Sequence, residues 1–131
     1  MKLFPVDHWV GKHTKAMIQL LESRGMAVDL INDLPEIGVI AYRNDIPVAA
    51  GFIRRMEGSY GLMDSYITNA TESSSTRHKA LSRITEALIE KAKEEGISKL
   101  LAFSSDQNTY QRSLMHGFIA MDHKFSLLIV K

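Results

Sequence analysis

The chain contains no cysteine. That absence removes a disulfide framework, a zinc–thiolate centre and a cysteine nucleophile from its chemistry, and it suits a reducing compartment. No apolar stretch approaches the length that spans a bilayer, and Met1-Lys2-Leu3-Phe4-Pro5-Val6-Asp7 has no apolar core of a secretory leader. A cytoplasmic location is the expectation. Excess charge of one sign is also missing: 16 basic and 15 acidic residues leave a formal net charge of +1. No global field gathers nucleic acid, and Arg54, Arg55, Arg77 and Lys79 form no basic run interleaved with aromatics, so a nucleic-acid partner is not expected. The histidines at 8, 13, 78, 116 and 123 show no H-x-x-x-H spacing, which argues against a metal site. Repeats are absent too. With 131 residues, 45% of them hydrophobic and 24% charged, one domain over residues 1–131 with a substantial core is expected.

What is present reads as alternating elements. After a short strand near Leu3 to Val6, Met17, Leu20 and Leu21 recur at helical spacing between Thr14 and Arg24, and Gly25 suits the residue after a helix end. Met26 to Glu36 fits a short second helix stopped by Pro35. Gly38 to Arg43 and Ile46 to Arg55 flank the polar turn Asn44-Asp45 as a hairpin, and Glu57-Gly58-Ser59 leads into a third antiparallel strand, Tyr60 to Thr68. A long amphipathic helix carries Leu81, Ile84 and Leu88 on one face and stops at Gly96. A strand at Lys99 to Phe103, a short helix near Asn108 to Met115 and final strands around Phe118 to Met121 and Phe125 to Val130 complete the order. The fold class is α+β: a mixed, mostly antiparallel sheet flanked by helices, with Tyr60 to Thr68, the long helix and Lys99 to Phe103 as a central parallel βαβ unit. Trp9 and the seven methionines read as core or partner-surface residues.

One stretch is unusual. Ser73-Ser74-Ser75-Thr76-Arg77-His78-Lys79 places three potential cations in the first turn of the long helix, at the end whose unpaired N–H groups normally attract acids. A ligand phosphate would supply the missing negative charge. The competing account is a solvated basic turn capped by Thr76 or Ser75.

This order of elements, with a phosphate-ready helix start after the central strand and a late Gly117-Phe118 step, resembles the GNAT superfamily of N-acetyltransferases. The resemblance implies acetyl-CoA as cosubstrate and an amine of a small molecule, peptide or protein as acceptor. It also implies a pyrophosphate held by backbone amides at a motif of Gln or Arg, two residues, Gly, one residue, Gly or Ala. The matching positions are Arg77, Ala80 and Ser82, so Arg77, His78, Lys79, Ala80, Leu81 and Ser82 are the candidate pyrophosphate segment. Neither glycine is present. The backbone of Ile67 and Thr68 would line the pantetheine arm, and Asn108 or Asp106 would take a polar place beside it. The tyrosine that commonly protonates the departing thiolate is Ser113 here, leaving Tyr110, one turn earlier, as its replacement. Short length and few motif glycines also resemble compact bacteriophage GNAT-like proteins, and a homodimer is compatible with the family.

Acetyl transfer to an amine needs a proton acceptor and donors for the developing oxyanion. Asp64 is the sole carboxylate of the central strand and the candidate general base. Strand alternation places it on one face with Leu62 and Tyr66, and Tyr66 is the alternative proton carrier. Against these stand an Asp64 that is simply hydrogen-bonded and a Tyr66 that only packs. Arg54 and Arg55 alternate, so at most one of them addresses a site. A binding or inhibitory scaffold that has lost turnover is the competing function.

Overall fold

The computed structural model describes residues 1–5, 11–104 and 106–121. The strand order matches the sequence order: β1 (Lys2–Pro5), β2 (Ile37–Arg43), β3 (Ile46–Arg55) and β4 (Tyr60–Thr68) run antiparallel, and β5 (Lys99–Ala102) joins β4 in parallel. Three α-helices, α1 (Gly11–Ser23), α2 (Ser74–Glu94) and α3 (Gln107–Met115), and a 3₁₀ helix at Val28–Asp33 complete the described elements. The result is a mixed, mostly antiparallel sheet with helices on both faces, containing the expected β4–α2–β5 unit.

The hairpin turn has Asn44 and Asp45 at φ 50° and 64°, the left-handed pair that a two-residue turn between twisted strands requires. β2 and β3 are almost wholly buried because each face of the sheet has its own cover. On one face Ile84, Leu88 and Ala92 of α2 meet Val39, Ala49, Ile53 and Met63. On the other, Met17, Leu20 and Leu21 of α1 meet Ile40, Ala50, Phe52 and Ile67. The periodic apolar residues of both helices therefore enter the core.

Four expectations need correction. Met26 to Glu36 forms only a 3₁₀ helix, with Leu34 already extended at φ −72° and ψ 141°, as the residue before a proline prefers. β5 ends at Ala102, one residue early. Phe118 to Met121 carries no strand. Helix α2 begins at Ser74 with Ser73 as its cap, so the cations at 77 to 79 lie beyond the first turn. The strand expected at Phe125 to Val130, together with His8, Trp9 and His123, lies outside the described residues. Among those residues no helix is long and apolar enough to cross a membrane.

Candidate functional site

The centre of the candidate site is an irregularity in β4. Ala50 pairs with Ile67 and Phe52 with Asp64, so Ser65 and Tyr66 together oppose Gly51. This is a β-bulge, and Ser65 takes its left-handed position at φ 57°. A bulge reverses the alternation beyond it. Asp64 accordingly lies across from Phe52 on the α1 face, where its Oδ2 accepts from Arg54 Nε at 2.9 Å. Arg54 also donates to the Asp33 carbonyl at 2.8 Å. Tyr66 turns to the opposite face: its hydroxyl lies 3.1 Å from Thr85 Oγ1 on α2, and its ring rests on Gly51, where a Cβ would come within 2.6 Å of it. The expectation that Asp64 and Tyr66 share a face is thus overturned. Arg54 and Arg55 do diverge as alternation requires, Arg55 reaching Glu95 at 2.9 Å.

Just before the bulge the pairing with β5 ends, because β5 itself ends at Ala102. The β4–β5 ladder ends at the pair Met63 and Ala102, while β4 continues to Thr68 with no strand beside this edge among the described residues. Beside the end of this ladder, walled by helices α2 and α3, lies a cavity of about 80 Å³. Its walls include Tyr66, Leu81, Thr85 and Phe103, with Thr109, Arg112 and Ser113 along α3. Burial pushes the Tyr66 hydroxyl up to about 12, against smaller opposing effects from the Thr85 hydrogen bond and the Arg112 charge. At neutral pH it is therefore a phenol, able to donate a hydrogen bond. Among the described residues Arg112 Nε is buried with no hydrogen-bond partner, and an Nη2 of the same guanidinium lies 3.2 Å from His78 Nδ1.

At its far end, the open part of β4 is already engaged. The Asn69 N–H donates to the Val48 carbonyl at 2.7 Å, so by strand alternation the main chain of Thr68 faces away from β3. Arg24 Nε donates to the Thr68 carbonyl at 3.0 Å, and an Arg24 Nη2 bonds the Thr68 hydroxyl. Ile67 is buried in the α1-side core. Buried Asn69 braces the following loop, donating to the Pro47 carbonyl at 2.9 Å and accepting from Thr71 N and Oγ1 at 3.0 and 2.7 Å.

The candidate pyrophosphate segment looks different from the sequence reading. Ser73 Oγ accepts from Thr76 N at 3.2 Å and the Ser73 carbonyl from Arg77 N at 3.0 Å. The cap is Ser73 rather than Ser75 or Thr76. The main-chain N–H groups of His78, Lys79, Ala80, Leu81 and Ser82 consequently lie inside the helical ladder and cannot cradle a phosphate. The unpaired amides of this helix end belong to Ser74 and Ser75. No acid occupies the first turn, and Glu72, just ahead of the cap, is held by Arg43 through both carboxylate oxygens at 2.9 and 2.8 Å. Ala80 is fully buried, Lys79 is exposed, and Ser82 Oγ lies 2.8 Å from His116 Nε2.

On α3, Thr109, Arg112, Ser113 and His116 form the inward stripe at i, i+3, i+4 and i+7, whereas Asn108 is exposed and Tyr110 is 41% exposed on the outer side. Neither Asn108 nor Tyr110 lines the cavity. Ser113 does, with its Oγ donating to the Thr109 carbonyl at 2.9 Å. Asp106 is the cap of α3: its carboxylate accepts from Thr109 N at 3.0 Å and Oγ1 at 2.9 Å, and the Thr109 amide bond foremost lowers its pKa. The sequence reading missed Arg112, Thr85 and Arg24. A search of α3 for the i, i+3, i+4 stripe without requiring it to be apolar would have found Arg112.

No family model and no curated protein matches this chain. Solved structures do. A GNAT-family acetyltransferase from Streptococcus pneumoniae superposes with a TM-score of 0.74 at 12% identity, covering 99% of this chain and 98% of that one. An aminoglycoside 6′-acetyltransferase of type Ii matches with a TM-score of 0.72 at 17% identity over 89% of this chain and 82% of that one. A transcriptional regulator from Bacillus halodurans gives 0.67 at 14% identity over 98% and 100%. Element order, the parallel β4–β5 step and these superpositions agree that the chain has the fold of the GNAT-family acetyltransferases.

Proposed function

We propose that the protein is an N-acetyltransferase that takes its acetyl group from acetyl-CoA and transfers it to an amine of a small molecule, peptide or protein. The observation that carries this reading is the end of the β4–β5 ladder, with the bulge and the cavity beside it. An open strand edge offers unpaired backbone groups to an extended arm lying beside it, and the end of a ladder is where groups on the two faces of a sheet address one ligand. Asp64 on the α1 face would accept the amine's proton, and Tyr66 on the α2 face, whose own proton goes to Thr85, would present its hydroxyl oxygen as an acceptor within the cavity. Acetyl-CoA supplies an activated acyl carbon. The side chain of Arg77 and the amides of Ser74 and Ser75 are the groups at the start of α2 suited to its phosphates.

A second reading is favoured by one feature. The segment Arg77 to Ser82 is wound into helix, with Ala80 packed in the core, so the loop of free amides that the motif would provide is absent. A GNAT-like scaffold that binds without turnover fits that feature. The two separate in an assay of thiol release from acetyl-CoA across a panel of primary amines, run beside a thermal-shift series with acetyl-CoA. Amine-dependent thiol release supports the transferase; a thermal shift without release on any amine supports the scaffold.

A further inference from the structure

We propose that Arg112 is the group that receives the negative charge of the CoA sulfur, with its Nε donating a hydrogen bond to the thiolate at the inner end of the β4–β5 cavity. The inference rests on the acetyl-CoA reading and adds a specific residue that neither the sequence pattern nor the fold assigns.

Arg112 carries an unfilled donor. A buried N–H that bonds nothing costs on the order of 1–3 kcal/mol, and more on a charged group, so such atoms are rare unless a ligand completes them. Arg112 Nε is the buried side-chain polar atom without a partner among the described residues, and its side chain lines the cavity. The rest of the guanidinium is anchored, since its Nη2 lies 3.2 Å from His78 Nδ1. That contact holds the fork and leaves Nε for the cavity. The other polar side chains there are engaged: Tyr66 with Thr85 at 3.1 Å, Thr85 also with the Leu81 carbonyl at 2.8 Å, and Ser113 with the Thr109 carbonyl at 2.9 Å. An enclosed N–H without a partner on a half-buried cation calls for a ligand atom carrying negative charge.

Size and lining narrow the ligand. A volume of about 80 Å³ admits a small terminal group. Met63, Leu81, Ala102 and Phe103 make much of the wall apolar, which suits a polarizable sulfur better than a strongly hydrated oxyanion. In the transfer, a bond forms between the amine nitrogen and the acyl carbon while the carbon–sulfur bond breaks and its electron pair remains on sulfur. The amine's proton goes to Asp64 or water. Arg112 keeps its own proton, stabilising the charge by hydrogen bond and Coulomb attraction, and the sulfur takes a proton from solvent.

The test is binding of CoA and desulfo-CoA to the full chain by calorimetry as a function of pH, which needs no acceptor amine. The titratable and charged groups facing Arg112 are His78 from α2, Tyr66 from β4 and Asp106 from the cap of α3. Their effects are shared by both ligands, so the ratio of the two affinities isolates the sulfur. If Arg112 stabilises the thiolate, the bound thiol ionises at lower pH than the free one. The ratio then favours CoA increasingly as pH rises toward the free thiol pKa, by tenfold or more, and levels off above it. Arg112→Gln should abolish that rise, and Arg112→Lys should restore part of it. A ratio independent of pH in the unmodified protein overturns the inference while leaving acetyl-CoA use intact. Failure of both ligands to bind removes the acetyl-CoA reading and this inference with it.

Discussion

Asp64 and Tyr66 stand two positions apart and serve opposite faces of the sheet, because Ser65 absorbs the extra residue of the bulge. Tyr66 gives the sharper prediction. Its pKa lies at about 12 in the folded protein, against 10.0 ordinarily. Below pH 10 both folded and unfolded chains keep the proton, and the burial benefit is intact. As pH rises toward 12 the unfolded chain ionises first, so stability falls by on the order of 2–3 kcal/mol across that window. Tyr66→Phe should flatten this alkaline loss in denaturant titrations, while costing about 1 kcal/mol at neutral pH for the lost Thr85 bond. An unchanged alkaline slope would show that Tyr66 is not buried as described. For Asp64, whose side chain is 34% exposed in its pair with Arg54, Asp64→Asn should change stability by no more than about 1 kcal/mol. Its turnover should fall by about 100-fold at neutral pH with acetyl-CoA affinity nearly unchanged. Full turnover across the pH range would leave water as the base.

At the scale of elements, the start of α2 and the bulge of β4 decide what the site offers. Ser73→Ala should destabilise the protein by about 1 kcal/mol in chemical denaturation, and Ser75→Ala should be near neutral, because Ser73 Oγ is the cap. The opposite ranking would restore the later helix start expected from the basic turn. Gly51→Ala would drive a methyl to within 2.6 Å of the Tyr66 ring and 2.9 Å of Ile84. A loss of about 1–3 kcal/mol follows, with the cavity wall displaced. No measurable loss would mean that the Tyr66 ring does not lie on Gly51. The strands, the tight turn and the two long helices were legible in sequence, since period-2 and period-3.6 apolar patterns report burial directly. The bulge was not, because nothing in Asp64-Ser65-Tyr66 marks where an extra residue enters a ladder; that depends on the register with β3. Nor was Arg112, since the inward stripe of α3 is Thr109, Arg112, Ser113 and His116. The family resemblance instead pointed to Tyr110, one turn before Ser113, which lies on the outer side.

For the whole molecule, the sheet with a helix layer on each face accounts for stability, and the end of the β4–β5 ladder leaves a cavity beside it. The superposed acetyltransferases share the fold at 12–17% identity. The segment that the resemblance matched to the phosphate motif holds Ala80 and Ser82 inside α2 and no glycine. Whether this site still admits an acyl-CoA is therefore the central question. Calorimetric titration of acetyl-CoA into the ligand-free chain answers it most directly. The account predicts saturable binding at one site per chain, weakened more by Arg77→Glu than by Arg77→Ala, since the glutamate adds negative charge beside the phosphates. No detectable heat or saturation up to millimolar acetyl-CoA, with the protein folded throughout, would contradict it.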